Sequence, residues 1–79
     1  MNETKAIFLF GRLLLDMDEQ QKAKNYFQLL LETTSKDDHL DMATVYNYLG
    51  RIAREDGLYS EALSYHFAAL QVRSFTYSS

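Results

Sequence analysis

The chain repeats itself at long range. Shifting the sequence by 39 positions (50 − 11) lays Gly11 on Gly50, Arg12 on Arg51, Ala23 on Ala62, Tyr26 on Tyr65 and Leu31 on Leu70. In each half the glycine precedes the alanine by 12 residues (23 − 11 and 62 − 50). Small residues at that interval, one on either side of a turn, let two antiparallel helices approach closely, because no large side chain holds the backbones apart. A fixed internal period marks an architecture whose units are single supersecondary motifs, each unable to bury its apolar face alone. The pattern predicts two tandem helix hairpins.

Local signals agree. Proline is absent and the three glycines stand at Gly11, Gly50 and Gly57, so helix breakers are scarce. Apolar residues recur at helical spacing over Glu3 to Met17, Glu19 to Thr33, Asp38 to Asp56 and Tyr59 to Phe75. Asp18, with Gln21 three residues on, is placed to cap the second helix, and Asp37 or Asp38 the third. Gly57 suits the left-handed residue that ends the third helix, and Ser60 with Glu61 suits the first turn of the fourth. The reading is all-α, four helices in one domain over residues 1–79. With 79 residues the chain buries only about 60% of its unfolded surface, enough for one small core.

The second half resembles a known repeat. Ala43-Thr44-Val45-Tyr46-Asn47-Tyr48-Leu49-Gly50, then Gly57-Leu58-Tyr59-Ser60-Glu61-Ala62-Leu63 and Ala69-Leu70, is similar to a tetratricopeptide repeat of the variety found in kinesin light chains. Departures are Ala53 where the family prefers an aromatic, His66 where it prefers Phe or Tyr, and Ser74 where proline is common. The first half matches through Phe10-Gly11, Ala23, Tyr26-Phe27 and Leu30-Leu31, with Asp18 in place of the turn glycine and Gln20 in place of the aromatic. The period exceeds the family's, and the surplus falls in the loop near Ser35 and Lys36 or lengthens its flanking helices. The resemblance implies a short right-handed α-solenoid, with repeat one at about 4–37 and repeat two at about 43–76. Its packing positions are Gly11, Ala23 and Phe27 in repeat one, and Leu49, Gly50, Tyr59, Ala62, Ala69 and Leu70 in repeat two.

In such a solenoid the first helix of each pair lines a concave groove that takes an extended peptide or a partner helix. By position the groove candidates are Lys5, Phe8, Arg12 and Leu15 in the first helix, and Thr44, Asn47, Arg51 and Arg54 in the third. Asn47 offers a donor and an acceptor, so it can pair with a partner's main chain; it can equally tie neighbouring helices together. Arg12, Arg51 and Arg54 can present guanidinium forks to a carboxylate, or lie as a solvated face paired with Asp16 and Glu55. Phe8 and Tyr48 stand where the carboxylate clamp of chaperone-binding members needs Lys and Asn, so a chaperone-tail receptor is not expected.

Other functions find little support. A net charge of −3 with no basic run gives counterion release little to act on, so nucleic acid is not an expected ligand. The absence of cysteine removes disulfides and thiolate metal sites and leans the chain towards the reducing cytoplasm. Ala6 to Leu15 is apolar but interrupted by Arg12, preceded by Glu3 and too short to span a bilayer, so it reads as neither signal nor membrane helix. His39 and His66 lie too far apart for a metal site, and His66 suits the seam between paired helices. Asp37, Asp38 and Asp41 cluster without the glycine of a calcium loop. Serine and threonine carry no nucleophile motif. The expectation is a non-enzymatic scaffold with no cofactor and a protein or peptide partner.

The two ends complicate that expectation. The first helix is apolar nearly all round, through Ile7, Leu9, Phe10, Leu13 and Leu14 among others. The fourth offers Phe67, Leu70, Val72 and Phe75 with no polar helix after it. Stacked repeats need about three units for independent stability. The alternative expectation is therefore a unit that self-associates, or joins flanking repeats, through its first and fourth helices. A plain four-helix bundle with an accidental repeat match is the third.

Overall fold

A computed structural model describes the backbone of residues 5–78 and the side chains of residues 5–74, so the readings placed on Glu3 and on the Phe75 side chain lie outside it. The described residues form four helices and no strand: α1 Ala6–Asp16, α2 Gln20–Thr33, α3 His39–Glu55 and α4 Tyr59–Ser78. Each helix packs on its neighbour in sequence, α1 on α2, α2 on α3 and α3 on α4. The expected all-α arrangement of helix hairpins is present.

The 39-residue period extends to the backbone. α1 ends at Asp16 and α3 at Glu55 (55 − 16 = 39), while α2 starts at Gln20 and α4 at Tyr59 (59 − 20 = 39). The turns match bond for bond. After α1 the amides of Met17, Asp18 and Glu19 donate to the carbonyls of Leu13, Leu15 and Leu14; after α3 those of Asp56, Gly57 and Leu58 donate to Ile52, Arg54 and Ala53. Gly57 takes φ 79° and its counterpart Asp18 φ 63°. Asp18 is thus the left-handed residue of the first turn and not the cap of α2. Glu19 holds the N-cap position without a side-chain cap bond, and so does Asp38 before α3. The surplus length is absorbed by the loop 34–38 and by a longer α3, which begins six residues before the position equivalent to the start of α1 (6 + 39 − 39).

Both crossing glycines make room for a ring. A Cβ on Gly11 would stand 2.3 Å from the tip of Phe27, and one on Gly50 would stand 2.9 Å from the His66 imidazole. The glycine therefore faces an aromatic ring four residues beyond the paired alanine (27 − 23 and 66 − 62), while Ala23 and Ala62 themselves are buried. The core joins Phe8, Ala23, Phe27 and Leu30 of the first hairpin to Val45, Leu49 and Ile52 of α3. Phe27 stacks on Tyr48 with ring centroids 4.5 Å apart and 9° between planes. Tyr26 donates its hydroxyl to the Ile7 carbonyl at 2.7 Å, pinning α2 to α1. Each fully buried large apolar side chain here contributes about 1.5–3 kcal/mol. The contact of α3 with α4 uses smaller residues: Ala43, Gly50 and Ala53 are buried on α3, as are Ala62 and Ala69 on α4.

Three sequence-based placements are corrected. Phe8, read as groove-facing, is only 3% exposed, because it packs among Phe27 and the α3 residues of the core. Tyr59 and Leu70, read as packing positions, are 70% and 63% exposed. Their counterparts on α2, Gln20 and Leu31, are half-buried because α3 follows; among the described residues no helix follows α4.

Four substitutions test this geometry. Gly11→Ala gains about 1 kcal/mol of helix propensity but overpacks a fully buried ring, which costs about 1–3 kcal/mol. It is expected to lower the denaturation midpoint more than Gly50→Ala, where the half-buried His66 ring can move aside; the reverse order would contradict the packing. Gly57→Ala is expected to cost about 1 kcal/mol through its left-handed backbone, and Asp18→Gly to cost nothing or stabilise. Thermal unfolding of both variants measures this.

Candidate functional site

Thr44, Tyr48 and Arg51 lie at successive i, i+4, i+7 positions of α3, with Asn47 between them, so one helix face carries all four. They line an open hollow of about 340 Å³. The Thr44 hydroxyl donates to the Leu40 carbonyl at 2.9 Å. Tyr48 has one ring face against Phe27 and forms a half-buried wall. Asn47 is exposed, and its amide makes no hydrogen bond to another described residue. Arg51 reaches Glu55 at 3.4 Å, a weak exposed pair on its own helix.

The remaining groove candidates are elsewhere. Arg54 is exposed in the last turn of α3 but does not line the hollow. Arg12 is exposed on α1 and forms no ion pair with Asp16 among the described residues. Leu15 is half-buried against the core and Phe8 is inside it. Lys5 is held by acids: its ammonium donates to Asp41 and lies 3.7 Å from Asp38. The two carboxylates near the start of α3 are therefore spent on a clip to the N-terminal end of α1. Gln20 forms a second clip, donating to Asp56 at 3.2 Å from the start of α2 to the end of α3.

Tyr48 is the lining residue that sequence reasoning did not count. Its spacing from Thr44 was a sufficient signal, since i and i+4 share a helix face. Elsewhere among the described residues no three His, Asp or Glu side chains converge as a metal site, and no helix is long and apolar enough to cross a membrane. The hollow itself offers one amide, one guanidinium and an aromatic wall, with no nucleophile and base in contact. An amide and a guanidinium are groups able to hydrogen-bond main-chain and carboxylate groups.

The chain matches none of the known protein families, curated proteins or solved structures with which it was compared.

The Lys5 clip has a pH signature. The Lys5 ammonium is raised above its ordinary 10.5, first by its hydrogen bond to Asp41, with desolvation opposing and the charges of Asp41 and Asp38 adding. A raised lysine contributes stability that is present below pH 10.5 and lost as pH climbs through the higher folded value. Lys5→Met is expected to remove that part of the alkaline decline in thermal midpoint, and to flatten its dependence on salt. An unchanged alkaline decline would show that the clip does not hold α1 to α3.

Proposed function

We propose that this chain is a protein-interaction module, a scaffold or adaptor that takes an extended peptide along α3. The observation that carries the proposal is the hollow lined by Thr44, Asn47, Tyr48 and Arg51. Asn47 supplies paired donor and acceptor to the peptide main chain, whatever its side chains are. Arg51 exchanges its weak contact with Glu55 for an acidic side chain or a terminal carboxylate, a stronger charge-assisted bond where water is excluded. Tyr48 provides a flat apolar wall against which a peptide side chain packs. The sequence resemblance to tetratricopeptide repeats, two hairpins stacked as a right-handed solenoid, supports the same reading, and the cysteine-free composition suits a cytoplasmic setting.

A second reading, a self-assembling structural unit, is favoured by one observation: the large apolar side chains left exposed along α1 and α4.

Selection of a displayed library of random peptides on the immobilised chain tests the first reading. Selected peptides are expected to lose at least about tenfold in affinity, some 1.4 kcal/mol, against the Asn47→Ala/Arg51→Ala double variant. Both sites are exposed, so the fold should hold to within about 0.5 kcal/mol. Peptides that bind wild type and double variant alike would remove the hollow as the site.

A further inference from the structure

The period of 39 residues makes the contact between α2 and α3 a template for the two surfaces that the chain leaves open. α4 is the counterpart of α2. Along α2 the side chains Gln20, Lys24, Gln28 and Leu31 are half-buried, on the helix that α3 covers. Adding 39 gives Tyr59, Leu63, Phe67 and Leu70, which are 70%, 72%, 62% and 63% exposed. This is one stripe at i, i+4, i+8 and i+11.

α1 is the counterpart of α3. The residues of α3 and its C-cap that meet α2 include Tyr48, Leu49, Ile52 and Asp56. Subtracting 39 gives Leu9, Phe10, Leu13 and Met17, which are 48%, 52%, 52% and 61% exposed. The exposed apolar side chains of α1 and α4 thus include, position by position, the two halves of the internal contact.

We propose that a second copy of this chain covers α4 with its α1, as α3 covers α2 within one copy, so that copies join head to tail. The inference rests on the second reading above and does not require peptide capture at the hollow. Its register follows from two contacts of the template. The stack of Phe27 on Tyr48 becomes His66 of one copy against Leu9 of the next. The polar clip of Gln20 to Asp56 becomes Tyr59 against Met17. At that position both members of the pair change from polar to apolar together, which keeps the two surfaces complementary. His66 already lies over Gly50, as Phe27 lies over Gly11, so its ring is positioned for the incoming helix.

The rim of the contact is wetter than its template. Phe8 and Leu15 of α1 pack on the core that α3 completes, whereas their counterparts on α3 are Asn47 and Arg54, both exposed. The junction is therefore reversible and concentration-dependent. Because it uses two different surfaces, it extends into an open chain or closes into a ring, and does not stop at a symmetric dimer.

The test is the mass of the full chain by light scattering from low to high micromolar concentration, with helicity recorded alongside. Leu63→Lys/Phe67→Lys blocks the α4 surface and Leu13→Lys/Met17→Lys the α1 surface; all four positions are more than half exposed, so each variant keeps its helicity. Wild type is expected to grow in mass with concentration, and each double variant to weaken self-association by more than about tenfold. Mixed together, the two variants retain one intact α4 surface and one intact α1 surface, and are expected to form a one-to-one dimer that grows no further. Single variants Phe67→Arg and Leu13→Arg are expected to give the same pattern if a double variant loses helix. A wild type that stays monomeric would overturn the proposal. So would a blocked variant that assembles as wild type does, or a mixture that remains two monomers. Peptide capture by the blocked variants, whose hollow is untouched, reports separately on the first reading.

Discussion

Phe27 is the point at which three helices become one structure. Its ring fills the space that Gly11 leaves on α1, stacks flat on Tyr48 of α3, and is fully buried. Without a glycine beneath it the ring could not descend to that depth, and without the ring α2 would present no flat surface for α3 to cover. Val45, Leu49 and Ile52 complete the same cluster, so the apolar core is held by the first three helices. The polar clips are peripheral by comparison. Lys5 with Asp41 and Gln20 with Asp56 fix the angle between the first hairpin and α3 from exposed positions, where such contacts contribute little stability.

The second hairpin copies the first at its crossing. His66 sits over Gly50 as Phe27 sits over Gly11, and Tyr65 lies near Tyr46 as Tyr26 lies near Ile7, the residue 39 positions before Tyr46. No helix among the described residues follows to play the part of α3. The consequence is visible in α4, whose α3-facing side is small and buried while the adjoining stripe is large and exposed. A chain this size has only marginal stability to spare, and a stripe of four large apolar side chains in water is the sort of surface that folded monomers ordinarily cover or use.

Much of this was legible in the amino-acid order, and the reasons for the misses are specific. Helical periodicity and the absence of proline were enough for four helices, since both are local properties. The 39-residue shift found the crossing glycines because a missing Cβ is an all-or-none signal. It did not reveal that each glycine receives a ring four residues past the alanine, which depends on how deeply the helices interlock. Phe8 was misplaced because position on a helix face does not say what lies there, and Phe8 is 3% exposed in one core cluster with Phe27 and residues of α3. Asp18 looked like a helix cap, yet the turn geometry shared with Gly57 requires a left-handed residue there, a conformation that aspartate tolerates better than most. Thr44, Asn47 and Arg51 share a hollow as helical spacing implies, while Lys5 is diverted to acids far away in sequence that no local pattern could pair with it.

Among the described residues α3 is covered on both sides, by α2 and α4, whereas α1 and α4 each pack on one helix. Amide hydrogen exchange, followed at several protein concentrations, tests it most directly, because protection reports which helices open locally. The account expects α3 to be the most protected helix at every concentration, and α1 and α4 to gain protection as concentration rises. Protection in α1 and α4 that equals that of α3 in dilute solution, and does not change with concentration, would contradict it.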